Sequence, residues 1–279
     1  MTAVDLHDLI TLREEGAKVS VYCPALPRLP QEHNLAYRAA DEYLSQIASK
    51  AGIRVRIDKG IPVGGGMGGG SSDAAAVLLA LDNVLNNSEP GSLASSLREA
   101  RLVSIARSLG ADVPFFLGPD RVPPAWIAAL CTGIGDLVTP VEAGSFWLVA
   151  LFLAQGVSTP WAFSAWDADN PGTDRQSFAE SDSRLYAVLN ELSSGNAESL
   201  AKVVYNDLEE PVVRRRRDIA EARAALLEGG ALNAVLTGSG STVYGICRSR
   251  THGEAVREKV TSLKLGFLKD ARVVRTGVV

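Results

Sequence analysis

The sequence predicts an α+β protein with two lobes. Runs that alternate apolar and charged residues, such as Ile-Arg-Val-Arg-Ile at residues 53–57, are typical of half-buried strands. Amphipathic helical runs lie between the strands without regular alternation, which favours α+β over a doubly wound parallel sheet. The chain of 279 residues exceeds the usual length of one domain. Because a strongly apolar strand at residues 146–153 is expected to open a second half, we place the lobes at residues 1–142 and 145–279.

Short patterns predict the elements of the first half. Residues 9–12 and 17–22 are β-prone, and prolines interrupt the chain after them. Apolar residues at helical spacing predict a helix over residues 34–48, with Asn34 as its cap. After the strand at 53–57, a helix over 73–85 contains small apolar residues that indicate burial. A loop at 86–91, one helix or two short ones over 92–109, and a proline-rich segment ending at residue 124 follow.

The second half opens with the strand at 146–153 and a helical patch over 158–166. Residues 167–183 are polar and are predicted to form a mobile surface connection. Helices are expected at 183–192, 197–204 and 218–227. Strands at 231–236 and 242–247 flank a glycine turn, Thr-Gly-Ser-Gly-Ser at 237–241. A helix over 253–263 and a strand over 271–275 are predicted last.

Composition indicates a globular protein of a reducing compartment. Hydrophobic residues are 46% and charged residues 22% of the chain, and the net charge of −4 provides no positive field for nucleic acid. Three scattered cysteines and three scattered histidines suggest neither a disulfide framework nor a zinc site. We expect a cytoplasmic monomer or homodimer that binds neither nucleic acid nor a membrane. The four arginines at residues 214–217 are interpreted as the solvated face of a helix.

The segment at residues 62–76 contains Pro-Val-Gly-Gly-Gly-Met-Gly-Gly-Gly-Ser-Ser-Asp-Ala-Ala-Ala. Glycine permits positive φ and lets backbone N–H groups approach a ligand closely. Together with the open N-terminus of the following helix, these N–H groups favour an anion. Ser71 and Ser72 could cap that helix or offer hydroxyls to a phosphate or its metal. We predict a phosphate-binding loop; the alternative is a helix–strand crossing that requires small residues.

Two familiar nucleotide motifs do not account for this loop. Residues 64–69 match Gly-x-Gly-x-x-Gly, and Glu89 lies at the distance where a dinucleotide site places its acidic residue. However, Lys-Gly-Ile-Pro at 59–62 separates the strand from the first glycine, and proline cannot continue a strand ladder. The Gly-Lys-Ser/Thr ending of the P-loop is also absent. The sequence therefore predicts a phosphate loop of another kind.

The pattern Pro-x-Gly-x-Gly-x-Gly-Gly-Gly-Ser-Ser-x-Ala-Ala resembles the phosphate loop of the GHMP small-molecule kinases. Four further segments occur in the order of that family: Asn-Leu-Ala-Tyr-Arg-Ala-Ala at 34–40, Gly-Ala-Asp-Val-Pro-Phe-Phe at 110–116, Asn-Asp-Leu-Glu-Glu-Pro at 206–211 and Thr-Gly-Ser-Gly-Ser-Thr at 237–242. The resemblance covers most of the chain and implies a two-lobed GHMP kinase fold. It also implies phosphoryl transfer from ATP, with Mg²⁺ bridging the ATP phosphates.

Within the family, the chain most resembles the members that phosphorylate the 2-hydroxyl of 4-diphosphocytidyl-2-C-methyl-D-erythritol in non-mevalonate isoprenoid precursor biosynthesis. A kinase of another small alcohol, homoserine or mevalonate, is the alternative. The resemblance makes Asp112 the catalytic residue, which accepts or orients the proton of the attacking hydroxyl. From the residues alone, Asp112 could equally be a turn or helix cap before Val-Pro.

The resemblance also implies binding roles. The residues implied to bind ATP are Lys59, Pro62, Val63, Gly64, Gly65, Gly66, Met67, Gly68, Gly69, Gly70, Ser71 and Ser72. Those implied to contact the substrate are Thr159 and Phe163, with the Phe163 ring on cytosine, and those implied to support the phosphate loop are Gly238, Ser239 and Gly240. The alternatives are a solvated strand-end lysine for Lys59, helix core for Phe163 and a plain hairpin turn for residues 237–241.

Two segments of the family pattern have no counterpart in this sequence. Family members begin with a strand containing Ala-Lys-Ile-Asn, whose lysine pairs with the catalytic aspartate, and continue with a Gly-Tyr-His segment that helps to hold the cytidine. The first residues here resemble the region that normally follows both. The resemblance therefore implies an N-terminal lobe without its first strand and lysine, and an ATP-binding remnant without catalysis becomes a further alternative.

Overall fold

The computed structural model describes residues 1–85, 93–118, 128–172 and 183–277. Three predicted segments lie wholly or partly outside these ranges. They are the loop at 86–91 with Glu89, the end of the proline-rich segment at 119–124, and residues 173–182 of the polar connection. The chain forms two compact units: one contains Met1, Leu6–Val63 and Gly68–Pro140, and the other Thr2–Asp5, Gly64–Met67 and Val141–Val279. Since these units interleave along the chain, the lobe limits 1–142 and 145–279 stay predictions.

The first unit contains a three-stranded sheet. Its strands are β1 (Leu9–Glu14), β2 (Ser20–Tyr22) and β3 (Ile53–Asp58), in the order β1-β3-β2. β3 runs antiparallel to β1 and parallel to β2. Along β3, the side chains of Ile53, Val55 and Ile57 are buried while the arginines between them are exposed. The predicted half-buried strand is therefore confirmed, and residues 59–61 separate its end from the glycine-rich segment.

The structure describes four α-helices in the first unit. They are α1 (Leu35–Gln46), α2 (Gly69–Leu85), α3 (Leu93–Leu109) and α4 (Val113–Leu117), followed by a hairpin of β4 (Ala128–Thr132) and β5 (Leu137–Val141). The Asn34 cap is confirmed, because its Oδ1 accepts a hydrogen bond from the Ala36 N–H at 2.9 Å. Residues 93–109 form one helix, which decides between the two predicted forms.

The start of α2 differs from the prediction. The helix begins at Gly69 instead of residue 73, so Ser71 and Ser72 lie inside its first turn and do not cap it. The Ser72 hydroxyl donates to the Gly69 carbonyl at 2.9 Å. A Cβ on Gly69 would lie 3.1 Å from Ile61 Cγ2, and one on Gly70 3.7 Å from Leu35 Cδ1. This close tertiary packing offsets the low helix propensity of glycine.

A buried carboxylate ties the helices of the first unit together. The hydrophobic core of the first unit includes Leu78, Leu102 and Ile105 from α2 and α3. Within it, the Tyr43 hydroxyl donates to Asp82 Oδ1 at 3.0 Å, and Arg98 Nε donates to Asp82 Oδ2 at 2.5 Å. Because both carboxylate oxygens have donors, Asp82 is tolerated in the core and connects α1, α2 and α3.

The second unit contains a four-stranded antiparallel sheet in the order β7-β8-β6-β9. The strands are β6 (Trp147–Leu153), β7 (Asn233–Leu236), β8 (Val243–Cys247) and β9 (Leu268–Arg275). The apolar strand predicted at 146–153 is confirmed, and it occupies an inner position of the sheet. Purely antiparallel pairing in this sheet fits the α+β class.

The helices described in the second unit are α5 (Thr159–Asp169), α6 (Ser183–Ser194), α7 (Ala197–Val203), α8 (Glu209–Val213), α9 (Arg217–Gly229) and α10 (Arg250–Ser262). α9 and α10 pack against the sheet around Val149, Leu226 and Val256. Because α5 extends to Asp169, the first residues of the predicted polar connection are helical. α8 was not predicted, since five residues around Pro211 carry no helical period.

None of the described helices combines the length and apolar character needed to cross a membrane. Three of the four consecutive arginines, residues 214–216, lie between α8 and α9, so the predicted helix face is wrong for them. Each of the four has a carboxylate partner: Arg214 pairs with Glu210, Arg215 with Asp169, Arg216 with Asp218 and Arg217 with Glu221. Arg216 departs from the predicted solvated face, because its side chain is 18% exposed and also donates to the carbonyls of Gln155 and Gly156. This arginine therefore packs structurally, while the other three lie at the surface.

Candidate active site

The glycine-rich segment belongs partly to each unit. Residues 64–67 are part of the second unit, whereas the chain from Gly68 onward returns to the first. Gly64, Gly66 and Gly68 have φ of 75°, 71° and 67°, a region that other residues rarely adopt.

In the second unit, the glycine turn at residues 237–241 packs directly on residues 64–67. The Thr237 hydroxyl donates to the Gly66 carbonyl at 3.3 Å, and the Thr242 N–H donates to the Gly65 carbonyl at 3.2 Å. A Cβ on Gly66 would lie 2.6 Å from the carbonyl oxygen of Gly240 and 2.9 Å from that of Thr237. Only glycine fits here, which is why the turn can lie so close to the loop.

The same turn connects two antiparallel strands, since Leu236 of β7 pairs with Val243 of β8. The hairpin alternative is therefore correct, and it coexists with the contact to the loop. Ser239 of the turn and Thr159 at the start of α5 share a hydrogen bond between their hydroxyls at 2.9 Å. Two residues that the sequence suggested separately are thus neighbours. Phe163, one turn along α5, is 41% exposed, so it is not helix core.

Asn206 and Glu209 hold the turn in place, and sequence reasoning assigned neither a role. Asn206 Nδ2 donates to the carbonyls of Leu236 and Gly238, both at 2.8 Å. Glu209 Oε2 accepts a hydrogen bond from the Leu236 N–H at 2.7 Å. The segment at 206–211 resembled a family motif, and that was the available signal. Its function follows only from the long-range contacts to the turn.

In the first unit, Gly68 and the N-terminus of α2 lie against α4. A Cβ on Gly68 would lie 2.9 Å from Cε2 of Phe116, and α4 packs along α2. The N–H groups of a helix's first turn have no intrahelical partner and favour negative charge. The N–H groups of residues 69–71 therefore lie at the anion-attracting end of a helix of 17 residues, while the Ser72 N–H already donates to the Gly68 carbonyl at 2.8 Å.

Asp112 immediately precedes α4. It occupies the N-cap position with φ of −82° and ψ of −16°, but its side chain makes no capping hydrogen bond. The helix-cap alternative thus finds no support in the structure. Asp112 is exposed overall, yet its carboxylate lies partly among protein atoms. This burial raises the pKa of Asp112, although the amino group of Met1 opposes the rise in part. A carboxylate with a raised pKa is a more effective proton acceptor near neutrality.

Lys59 is not a solvated strand-end lysine. Its side chain is 8% exposed, and Nζ donates to Asp8 Oδ2 at 2.5 Å and to Asp73 Oδ2 at 3.0 Å. Burial alone would lower the pKa of Lys59, but the two carboxylates outweigh it and raise the pKa. Burial also raises the pKa of Asp73, against the opposing effect of Lys59. Asp8 and Asp73 were not predicted as site residues, because residues distant in sequence give no local sign of pairing.

Comparison with known proteins identifies the class. The family described as GHMP kinases N terminal domain matches residues 34–118, and GHMP kinases C terminal matches residues 186–264. The chain belongs to the GHMP kinase family, and it is a small-molecule kinase. The two-lobed α+β fold of that family is confirmed.

The chain is also similar to individual kinases whose names give a substrate. A 4-diphosphocytidyl-2-C-methyl-D-erythritol kinase from Acaryochloris marina is 32% identical over 91% of this chain and 80% of its own length. The crystal structure of a 4-(cytidine 5'-diphospho)-2C-methyl-D-erythritol kinase, 28% identical, matches with a TM-score of 0.73 over 99% of this chain and 88% of its own. A homoserine kinase from Cytophaga hutchinsonii matches with a TM-score of 0.74 at 17% identity, over 99% of this chain and 88% of its own, a likeness of fold alone.

Proposed function

We propose that the protein transfers the γ-phosphate of ATP to the 2-hydroxyl of 4-diphosphocytidyl-2-C-methyl-D-erythritol, a step of isoprenoid precursor biosynthesis. The observation that carries the proposal lies in the first unit. There the anion-attracting N-terminus of α2 follows Gly68, and Gly68 lies against the helix that Asp112 precedes. The relatives named for this substrate support the choice of the acceptor alcohol.

ATP would bind through its phosphates at the glycine-rich segment and the first turn of α2. Phosphoryl transfer requires positioned donors around the phosphate oxygens more than a strong base. Backbone N–H groups supply such donors, and the positive φ of Gly66 and Gly68 lets the chain curve without a Cβ in the way. The predicted ATP-binding residues 62–72 enter the proposal on this basis, whereas Lys59, which is buried between Asp8 and Asp73, enters it as a support of the loop.

Asp112 would accept or orient the proton of the attacking 2-hydroxyl. Its carboxylate is not engaged as a helix cap, and its raised pKa suits proton acceptance. In the second unit, the exposed ring of Phe163 offers a face for cytosine, and Thr159 lies beside it on α5. These two residues are the proposed substrate contacts.

Mg²⁺ would accompany ATP in this proposal. Mg²⁺ prefers hard oxygen ligands and usually keeps its substrate phosphates and waters as most of its shell. The Ser72 hydroxyl donates its hydrogen to the Gly69 carbonyl, so its oxygen retains lone pairs that suit such an ion. Ser72 is therefore the residue that would hold it, and the bound ion would supply neutralisation of phosphate charge. Within the described ranges, no cluster of three or more acidic, histidine or cysteine side chains forms a metal cage.

The test compares three alcohols under identical conditions. The purified chain is incubated with ATP, Mg²⁺ and 4-diphosphocytidyl-2-C-methyl-D-erythritol, homoserine or mevalonate, and ADP release and phosphorylated product are measured. We expect product with the cytidylylated alcohol and at most traces with the other two. Preference for homoserine or mevalonate would reassign the substrate, and ATP binding without transfer to any of the three would indicate a nucleotide-binding protein.

A further inference from the structure

We infer that Lys59, Asp8 and Asp73 form a buried ionic cluster that holds the two ends of the phosphate loop together, and that Lys59 positions the loop instead of contacting the nucleotide base. The inference rests on the proposed function, because it assumes that the loop binds the phosphates of ATP. It goes beyond that function by assigning three positioning residues beneath the loop.

The cluster joins the residues before the loop to those after it. Lys59 directly follows β3, and Asp73 lies near the start of α2. Lys59 Nζ contacts Asp73 Oδ2 at 3.0 Å and Asp8 Oδ2 at 2.5 Å. The three side chains are 8%, 6% and 3% exposed for Lys59, Asp73 and Asp8 respectively. One ammonium group thus bridges both ends of the segment within the first unit.

Asp8 also holds the backbone that leads into the loop. Its Oδ1 accepts hydrogen bonds from the N–H groups of Gly60 at 2.6 Å and Ile61 at 2.8 Å. A Cβ on Gly60 would lie 2.2 Å from the carbonyl oxygen of His7, so only glycine allows this approach. The path of residues 59–61 is therefore determined by one carboxylate from the chain before β1.

The cluster leaves Lys59 poorly suited to bind the base. Moving the ammonium group toward a ligand would leave two buried carboxylates without their cation, which is strongly unfavourable. The Lys59 Nζ lies 3.2 Å from the position of a Cβ on Gly69, directly beneath the first residue of α2. From there Lys59 packs against the helix end that is proposed to receive the phosphates.

Of the two carboxylates, Asp73 lies farther from Lys59 Nζ, at 3.0 Å compared with 2.5 Å for Asp8, and substitutions of Asp73 test the cluster. Its Oδ1 is buried without a hydrogen-bond partner. An asparagine would keep an oxygen as acceptor for Lys59 although it lacks the carboxylate charge, whereas an alanine would remove the bridge altogether. We therefore expect Asp73→Asn to restore most of the function that Asp73→Ala loses.

The experiment measures binding of ATP, GTP and inorganic tripolyphosphate to the full chain by calorimetry. Tripolyphosphate has no base, so it reports on the loop alone. Lys59→Met and Asp73→Ala are expected to weaken all three ligands by the same factor, about tenfold or more, since small displacements of positioned groups cost affinity and rate of this order. Arg56→Met is the matched control: Arg56 lies on β3, three residues before Lys59, and pairs with Asp58 at the surface, so its substitution should leave the affinities unchanged.

Opposite results separate this inference from the proposed function. If Lys59→Met weakens ATP but not tripolyphosphate, Lys59 binds the base and the inference is wrong. If Lys59→Met is recovered unfolded, as judged by circular dichroism, the Asp73 pair decides: equal affinities for Asp73→Ala and the original chain overturn the inference. If the original chain binds neither ATP nor tripolyphosphate, the proposed function and the inference fail together.

Discussion

At Asp112, the local pattern is compatible with a catalytic residue and with a helix cap, and the geometry gives no support to the cap. The residue stands where a helix cap would stand, but its carboxylate makes no capping bond. At Lys59 the alternative of a solvated strand-end lysine is wrong, because the side chain is buried between two carboxylates. Single residues next to glycine and proline are therefore poorly predicted from the chain alone.

Asp112→Asn should lower phosphoryl transfer by about 10²–10⁴-fold, the usual contribution of a positioned acid–base group. ATP binding should be unchanged, because the substitution does not alter the glycine-rich segment. Steady-state transfer and calorimetric ATP binding check this. The control is Asp136→Asn, another aspartate of the first unit, which pairs with Arg107 at 3.3 Å. Full turnover by Asp112→Asn would exclude the proposed role.

The raised pKa of Asp112 predicts an acid limb in the pH profile of transfer. The carboxylate accepts a proton only when ionised, and burial favours its protonated form. Activity should therefore fall, as pH is lowered, at a pH above the ordinary aspartate value of about 3.9. The pH dependence of kcat/KM measures this, because it reports ionisations of the free enzyme, with circular dichroism at each pH to verify folding. A limb at or below the ordinary value would contradict it.

Among the elements, the glycine turn between β7 and β8 and residues 64–67 behave as one packed structure in the second unit. Gly66 packs against the carbonyls of Thr237 and Gly240. Asn206 holds the turn through the carbonyls of Leu236 and Gly238. The proposed phosphate loop therefore packs on a hairpin far away in sequence. Substitutions in that hairpin or at Asn206 should affect ATP binding through the loop.

Gly66→Ala and Gly16→Ala separate backbone strain from crowding. Both glycines have φ of 71°, so each alanine costs about 1–2 kcal/mol of unfolding free energy. At Gly16 no atom lies within 4 Å of the new Cβ, whereas at Gly66 it meets the Gly240 carbonyl. We expect Gly66→Ala to destabilise the chain at least as much as Gly16→Ala. Only Gly66→Ala should weaken ATP binding. Denaturant unfolding and calorimetry test this, and equal ATP affinities would contradict it.

Asn206→Ala should raise the KM for ATP severalfold. It removes two hydrogen bonds to the turn, at Leu236 and Gly238, and each is worth about 0.5–1.5 kcal/mol of stability. Asn233→Ala is the matched control, since Asn233 Nδ2 donates to the carbonyls of Ala201 and Val204 and not to carbonyls at the turn. Both variants should lose stability, and only the first should change KM. An unchanged KM for Asn206→Ala would show that the turn does not depend on this residue.

For the whole molecule, the two units are not simple halves of the chain. Thr2–Asp5 and Gly64–Met67 belong to the second unit although the segments around them belong to the first. A prediction from local composition places lobe limits at breaks along the chain, so it cannot anticipate such exchange. The cytoplasmic location and the monomeric or homodimeric state stay predictions, and light scattering of the purified chain would measure the latter.

Much of the fold was predictable because its causes are local. Alternation along residues 53–57 and helical spacing after Asn34 follow from the periods of strands and helices, and both predictions are confirmed. The α+β class follows from the irregular order of these elements. The boundaries of α2 and the short α8 were not predictable, because tertiary packing overrides glycine propensity at Gly69 and no period exists around Pro211.

The sequence by itself determined the glycine-rich loop, the family and the candidate Asp112, since these depend on residue types in a short continuous order. Only the tertiary structure decided what supports them. Lys59 meets Asp8 and Asp73, and Asn206 meets the glycine turn, through contacts between residues distant along the chain. Such pairs leave no local pattern, because their attraction arises only when folding removes water and brings the charges and donors within hydrogen-bond distance.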